Sequence, residues 1–86
     1  PDAYFVIGSE NVRPKALEII SALRRSGVKT DYPLKQASFG KQFKQADAVG
    51  AAKAYILGDD ELAQGIVKIK DLKSGETSAV ALSSLL

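Results

Sequence analysis

The chain has 86 residues, 45% of them hydrophobic, with twelve Lys and Arg against ten Asp and Glu for a net charge of +2. A fold of this size buries only roughly two-thirds of its unfolded surface, so there is room for one core, and a polyanion partner could be served only through the placement of charge. With no Cys, His, Met or Trp, the composition excludes disulfides, thiolate nucleophiles, imidazole bases and zinc sites built from nitrogen or sulfur ligands.

Ala3 to Ile7 is a continuous apolar run closed by Gly8, the pattern of a strand buried on both faces in a parallel sheet. Ser9 and Asn11 offer helix caps, Pro14 suits a first turn, and Val12, Ala16, Ile19, Ile20 and Leu23 then recur at helical spacing. Gly27 is placed to end that helix in the left-handed conformation. Val28 to Tyr32 alternates apolar and polar residues and stops at Pro33, which predicts a strand with one solvated face, nearer an edge.

After the loop Leu34 to Ala37, Ser38 caps a second predicted helix whose Phe39, Gln42, Phe43, Ala46 and Val49 share a face, and Gly50 ends it. Ala54 to Leu57 is a second fully apolar run, so the chain opens β-α-β-α-β, with the three strands parallel through right-handed crossovers. Gly58 turns the chain, Asp59 or Asp60 caps a short helix through Gln64, and Gly65 releases it into the strand Ile66 to Asp71. The tip Lys73-Ser74-Gly75 joins that strand to Glu76 through Val80 as a hairpin, and Ala81 to Leu86 begins a terminal helix. The fold class is therefore α/β: residues 1–86 form one domain, a mixed, mostly parallel sheet of about five strands flanked by helices. No apolar run nears the ~20 residues of a membrane span and no signal-peptide pattern opens the chain, so a cytoplasmic setting is expected. Pro1 stands first and strand-like sequence begins at Ala3, as expected of a piece of a longer polypeptide.

Charge is uneven along the chain. Residues 35–53 hold four basic residues and one acidic, whereas residues 54–86 hold three basic and five acidic. Lys41 and Lys44 are neighbours on a helix, with Lys35 in the loop before it and Lys53 just beyond it. Two readings fit: a solvated helix face, or a track for phosphates. Lys68 and Lys70 share one face of their strand, either adding to that field or serving as ordinary edge-strand lysines. Phe43 follows the core period, while Tyr32 at a strand end and Phe39 in a first helical turn are the candidates for stacking on an unpaired base. Asp59, Asp60 and Glu61 suit a helix N-terminus, with Glu61 also available as an acceptor for a base amino group. Gly8-Ser9-Glu10-Asn11 lacks the glycine fingerprint of dinucleotide sites and the lysine of a P-loop. No serine has a partner base, so there is no catalytic constellation.

Ser38-Phe39-Gly40-Lys41-Gln42-Phe43-Lys44-Gln45-Ala46-Asp47, Gly50-Ala51, Ile56-Leu57-Gly58-Asp59-Asp60-Glu61-Leu62, Gly65 and Val67-Lys68-Ile69-Lys70-Asp71-Leu72 together resemble the C-terminal anticodon-binding domain of histidyl-tRNA synthetases. The resemblance covers essentially the whole chain. It implies a domain that grasps the anticodon stem-loop of tRNA while a separate catalytic domain of the parent chain, typically a homodimer using ATP and Mg, charges the tRNA with histidine. No catalytic residue, metal or cofactor is implied within the domain itself. By analogy within the fold, tRNA contacts fall to Glu10 after the first strand, to Tyr32, Lys35, Phe39, Lys41, Gln42 and Lys44 around the entry to the second helix, and to Glu61 and Lys68 after the third strand. The loop Pro33-Leu34-Lys35-Gln36-Ala37 departs from related domains in lacking their common arginine, which leaves Lys35 to a phosphate. The alternative is a protein-interaction domain of a non-charging paralogue, such as the regulatory subunit of ATP phosphoribosyltransferase. On the RNA-binding reading the lysines are expected to converge on one rim.

Overall fold

A five-residue apolar strand satisfies its backbone only if both of its edges are paired, and the computed structural model, which describes residues 1–86, shows that arrangement. Strand β1 (Ala3–Ile7) is buried at every residue and lies between β2 (Thr30–Asp31) and β3 (Lys53–Leu57), parallel to both. β3 then pairs antiparallel with β4 (Ile66–Asp71), and β4 with β5 (Thr77–Ala81), giving the sheet order β2-β1-β3-β4-β5. The sheet is mixed, with two parallel and two antiparallel pairings.

Alternation along β1 divides the core in two. Phe5 and Ile7 point to one side, where Val12 and the Ala16, Ile19, Ile20 and Leu23 stripe of helix α1 (Arg13–Arg25) meet them together with Leu57 and Val67. Tyr4 and Val6 point to the other side and pack with Ala46 of helix α2 (Phe39–Ala48), Ala51 and Ala54. α2 lies against β1, and beyond it Lys68, Thr77 and Ala79 on the same sheet face are exposed. That bare strip next to α2 leaves space for a ligand.

Helix ends differ from expectation in ways that matter for the site. Ser9 and Asn11 cap nothing, because a 3-10 turn over Glu10–Val12 precedes α1 and its N-cap position is Val12. At the other end Gly27 is left-handed (φ 95°), with its N–H on Arg24 O and the Val28 N–H on Leu23 O. This double closure is a Schellman motif, and it consumes Val28. The Lys29 N–H is likewise taken by the Asp2 carboxylate, so the strand expected over Val28 to Tyr32 shortens to Thr30–Asp31. The Arg24 guanidinium donates to Thr30 O at 3.0 Å from Nε and 2.6 Å from Nη2, covering a carbonyl of this edge strand.

Ser38 caps α2 as expected, its Oγ accepting from the Lys41 N–H at 3.2 Å. Gly40 follows in the first turn with open space where a Cβ would stand and no positive φ. Gly40→Ala is therefore expected to stabilise the fold by roughly 0.5 kcal/mol, mainly by restricting the unfolded chain, seen as a higher urea midpoint at an unchanged slope.

Helix α3 (Asp59–Gln64) starts at Gly58, whose N–H donates to Glu61 Oε1 at 2.8 Å; Glu61, rather than Asp59 or Asp60, supplies the cap. At the hairpin tip Asp71 Oδ1 accepts the N–H groups of Lys73 and Ser74, both at 2.9 Å, and these bonds hold its carboxyl below the usual carboxylate range. The expected terminal helix is one 3-10 turn, Leu82–Leu85, which packs Leu82 and Leu85 on the α1 side. No helix is long and apolar enough to cross a membrane.

Candidate nucleic-acid interface

The carboxyl ends of β1 and β3 carry one glycine each, Gly8 and Gly58, joined by the Gly8 N–H to Leu57 O bond at 2.8 Å. A Cβ on Gly8 would stand 2.7 Å from Gly58 Cα and 3.1 Å from Phe39 Cζ. The two backbones thus touch, and the Phe39 ring rests on them. Phe39 remains 45% exposed, which is unusual for so large an apolar group. With Phe43, Ile56, Asp59, Asp60, Glu61 and Lys68 these residues line a cavity of about 480 Å³. Lys68 Nζ sits 3.7 Å from Glu61 Oε2, within ion-pair range but beyond hydrogen-bond length, with 48% of the Lys68 side chain and 12% of that of Glu61 exposed. The cavity therefore presents an open aromatic face, a cation, and a carboxylate whose other oxygen holds the turn.

The loops around it are tied to one another. Asp59 Oδ1 accepts from Ser9 Oγ at 3.1 Å and Asn11 Nδ2 at 3.0 Å, joining the loop after β1 to α3. Glu10 accepts from Arg13 Nε at 2.8 Å, and Arg13 Nη1 donates to Pro33 O at 2.9 Å, joining the same loop to the one entering α2. Gln36 Nε2 donates to Ile7 O at 3.0 Å.

Gln42 requires a correction as a contact residue. It is 1% exposed, with Oε1 accepting from Ile7 N at 2.7 Å and Nε2 donating to Ile7 O and Ala37 O, both at 2.8 Å. Its amide serves the end of β1 and the loop before α2, and none of it is free for RNA. Phe39, Glu61 and Lys68 do come together. Lys41 and Tyr32 do not join them: they line a second cavity of about 640 Å³ between α2 and the edge strand β2. Tyr32 is half-buried against the α1 core, with the Arg24 guanidinium 5.4 Å over its ring, so one face is already taken. Glu10 is exposed beside Arg13, and Lys35 and Lys44 are exposed and line neither cavity. Lys70 lies 5.4 Å over the Phe43 ring. The expected single rim is thus two flanks separated by α2.

Sequence reasoning passed over Arg13, Gln36 and Asp59 as organisers of these loops. Their partners lie 20, 29 and about 50 residues away, and no periodicity signals such bonds. The close approach of Gly8 to Gly58 did leave a trace, since each glycine directly follows an apolar run.

Over residues 2–86 the chain matches the family described as the anticodon binding domain. The chain belongs to that family. It is 52% identical over 71 residues to the histidine–tRNA ligase of Opitutus terrae, covering 83% of this chain and 16% of that protein. It is 37% identical over 86 residues to the Synechocystis histidine–tRNA ligase, covering 100% of this chain and 19% of the relative. The solved structure of apo S. aureus histidyl-tRNA synthetase superposes with a TM-score of 0.89 at 30% identity, over 98% of this chain and 25% of that one. This anticodon-binding domain thus spans about a fifth of the length of the curated relatives it matches. The mixed five-stranded sheet with flanking helices is that of the synthetase domains.

Proposed function

We propose that the chain is the tRNA-binding module of a histidine–tRNA ligase, holding the anticodon stem-loop of tRNA(His) so that a catalytic domain elsewhere in the parent can charge it. The observation that carries this reading is Phe39, a ring left half open on a floor of two glycines, with Lys68 and Glu61 beside it. An unpaired base stacks on such a ring, a phosphate pairs with the ammonium, and a carboxylate oxygen accepts from a base amino group. The 52% identity to the Opitutus terrae histidine–tRNA ligase points to the amino acid. On this reading the parent is a cytoplasmic homodimer whose ATP and Mg belong to its catalytic region. Within this chain no three carboxylates gather to hold a metal ion, and none of its residues is assigned to either group.

The test is binding of the histidine anticodon stem-loop and of anticodon-substituted hairpins at two salt concentrations. Preference for the histidine anticodon supports the proposal, and indifference to anticodon sequence favours a non-charging paralogue. Lys68→Ala is expected to weaken every hairpin to a similar degree and to lower the salt slope by about 1, as loss of one phosphate contact does. An unchanged slope would remove Lys68 from the backbone contacts.

A further inference from the structure

The cavity on the other flank of α2 has chemistry of its own. At its floor is Tyr4, only 4% exposed, whose hydroxyl bonds to no protein group. The ring is buried but the hydroxyl reaches the solvent of the cavity, since Arg13 Nη2 is the one fully buried side-chain polar atom without a partner, so the Tyr4 hydroxyl stands free to bond a ligand. Asp31 stands directly opposite Tyr4 in the β1–β2 register and lines the same cavity, and its carboxylate has no hydrogen-bond or ion-pair partner in the chain. Burial, reinforced by the nearby Asp31 charge, raises the Tyr4 pKa, so the hydroxyl keeps its proton and donates. Lys41 and Gln45, one helical turn apart, form the α2 wall. Pro33, Leu34 and Val49 supply apolar surface, with Leu34 84% exposed at the lip.

We propose that this groove is a second base site, taking an unpaired nucleobase that carries an exocyclic amino group. The assignment rests on the RNA-binding reading above. A carboxylate accepts from an exocyclic amine, as Asp and Glu do from the cytosine amino group, and the Tyr4 hydroxyl and Gln45 amide complement the ring's other polar atoms. Leu34 and Pro33 cover the face of the ring. Lys41 and Arg24 offset the charge of Asp31, which alone would repel a polyanion. The volume, about 640 Å³, lies within the roughly 300–1,000 Å³ of small-ligand sites. Phe39 and Phe43 line the first cavity while Lys41 and Gln45 line this one, and residues two apart point to opposite sides of a helix. One base on each flank would have the RNA straddle the start of α2, a body about 10–12 Å across with its side chains.

Stem-loops in which each unpaired loop base in turn is replaced by an analogue lacking its exocyclic amine test the assignment, with the 86-residue chain as wild type, Asp31→Ala, Tyr4→Phe and Phe39→Ala. Wild type is expected to lose about tenfold in affinity at one position, within the range of a discriminating base contact. In Asp31→Ala that same replacement should cost nothing further, and Tyr4→Phe should bind the unmodified hairpin more weakly. Phe39→Ala should keep the amine dependence while losing overall affinity, which separates the two sites. Asp31→Ala and Tyr4→Phe binding every hairpin as wild type does would overturn the second site and leave the first intact. So would an Asp31→Ala loss that ignores the amine, since that would mark a ribose hydroxyl as its partner. Failure of the wild type to bind any hairpin would remove the RNA-binding reading and this inference with it.

Discussion

Gln42→Leu is expected to destabilise the domain by roughly 2–4 kcal/mol, although it keeps the side chain's size and adds apolar surface. The cost comes from what the amide leaves behind. The Ile7 N–H, at the buried end of β1, has Gln42 Oε1 at 2.7 Å, and without it the donor is orphaned where water does not reach. Ile7 O is protected by its second donor, Gln36 Nε2 at 3.0 Å, and Ala37, only partly buried, can turn its carbonyl to water. One fully orphaned donor and the lost bonds to Ile7 O and Ala37 O therefore set the scale. Urea unfolding monitored by tyrosine fluorescence measures it, and a change below about 0.5 kcal/mol would show that the amide is not what closes the end of β1. RNA affinity should fall in the same variant beyond what the lost folded population explains, because the loop holding Ala37 loses its anchor just before Phe39.

The same residue shows how far the sequence could be read. Helical spacing put Gln42 on the core face of α2, and the structure buries it there. The analogy with related domains counted it among the RNA contacts, but a glutamine with both amide ends satisfied by backbone has nothing left to offer a ligand. Apolar runs fixed the central strands for a plain physical reason: an uninterrupted stretch such as Ala3 to Ile7 can be solvated on neither face. β2 was overestimated because alternation of side chains says nothing about backbone donors, and those of Val28 and Lys29 were already committed to the end of α1 and to Asp2.

Caps were misread for a related reason. Ser9, Asn11 and Asp59 each suit a helix start by composition, yet they bond to one another across about 50 residues. Local propensity chooses among nearby partners, whereas the fold brings together partners that no window contains. The lysines followed the same rule. Sequence could place Lys41 on α2 and Lys68 on β4, but whether they share a concavity depends on which flank of α2 each one faces. The geometry puts them on opposite flanks. The proposed interface is consequently wider than one rim, and its centre is an aromatic ring rather than a cluster of charge.

Phe39→Ala follows from that centre as the largest expected effect on binding: a loss of about 1–3 kcal/mol, or roughly 5- to 150-fold, for any hairpin with an unpaired loop. Stacking does not depend on salt, so the slope of affinity against salt should stay as in wild type, opposite to the result expected for Lys68→Ala. Because Phe39 is already 45% exposed, its removal should cost far less stability than truncation of a buried ring, and unfolding curves must accompany the binding data. Gly8→Ala supplies the control that keeps the aromatic ring. Its new Cβ would lie 2.7 Å from Gly58 Cα and 3.1 Å from Phe39 Cζ, so the strand ends must part and the ring must lift. If the ring binds a base only when seated on the glycine floor, both variants lose affinity. If Gly8→Ala binds as wild type while Phe39→Ala does not, the ring acts alone and the floor serves only the fold.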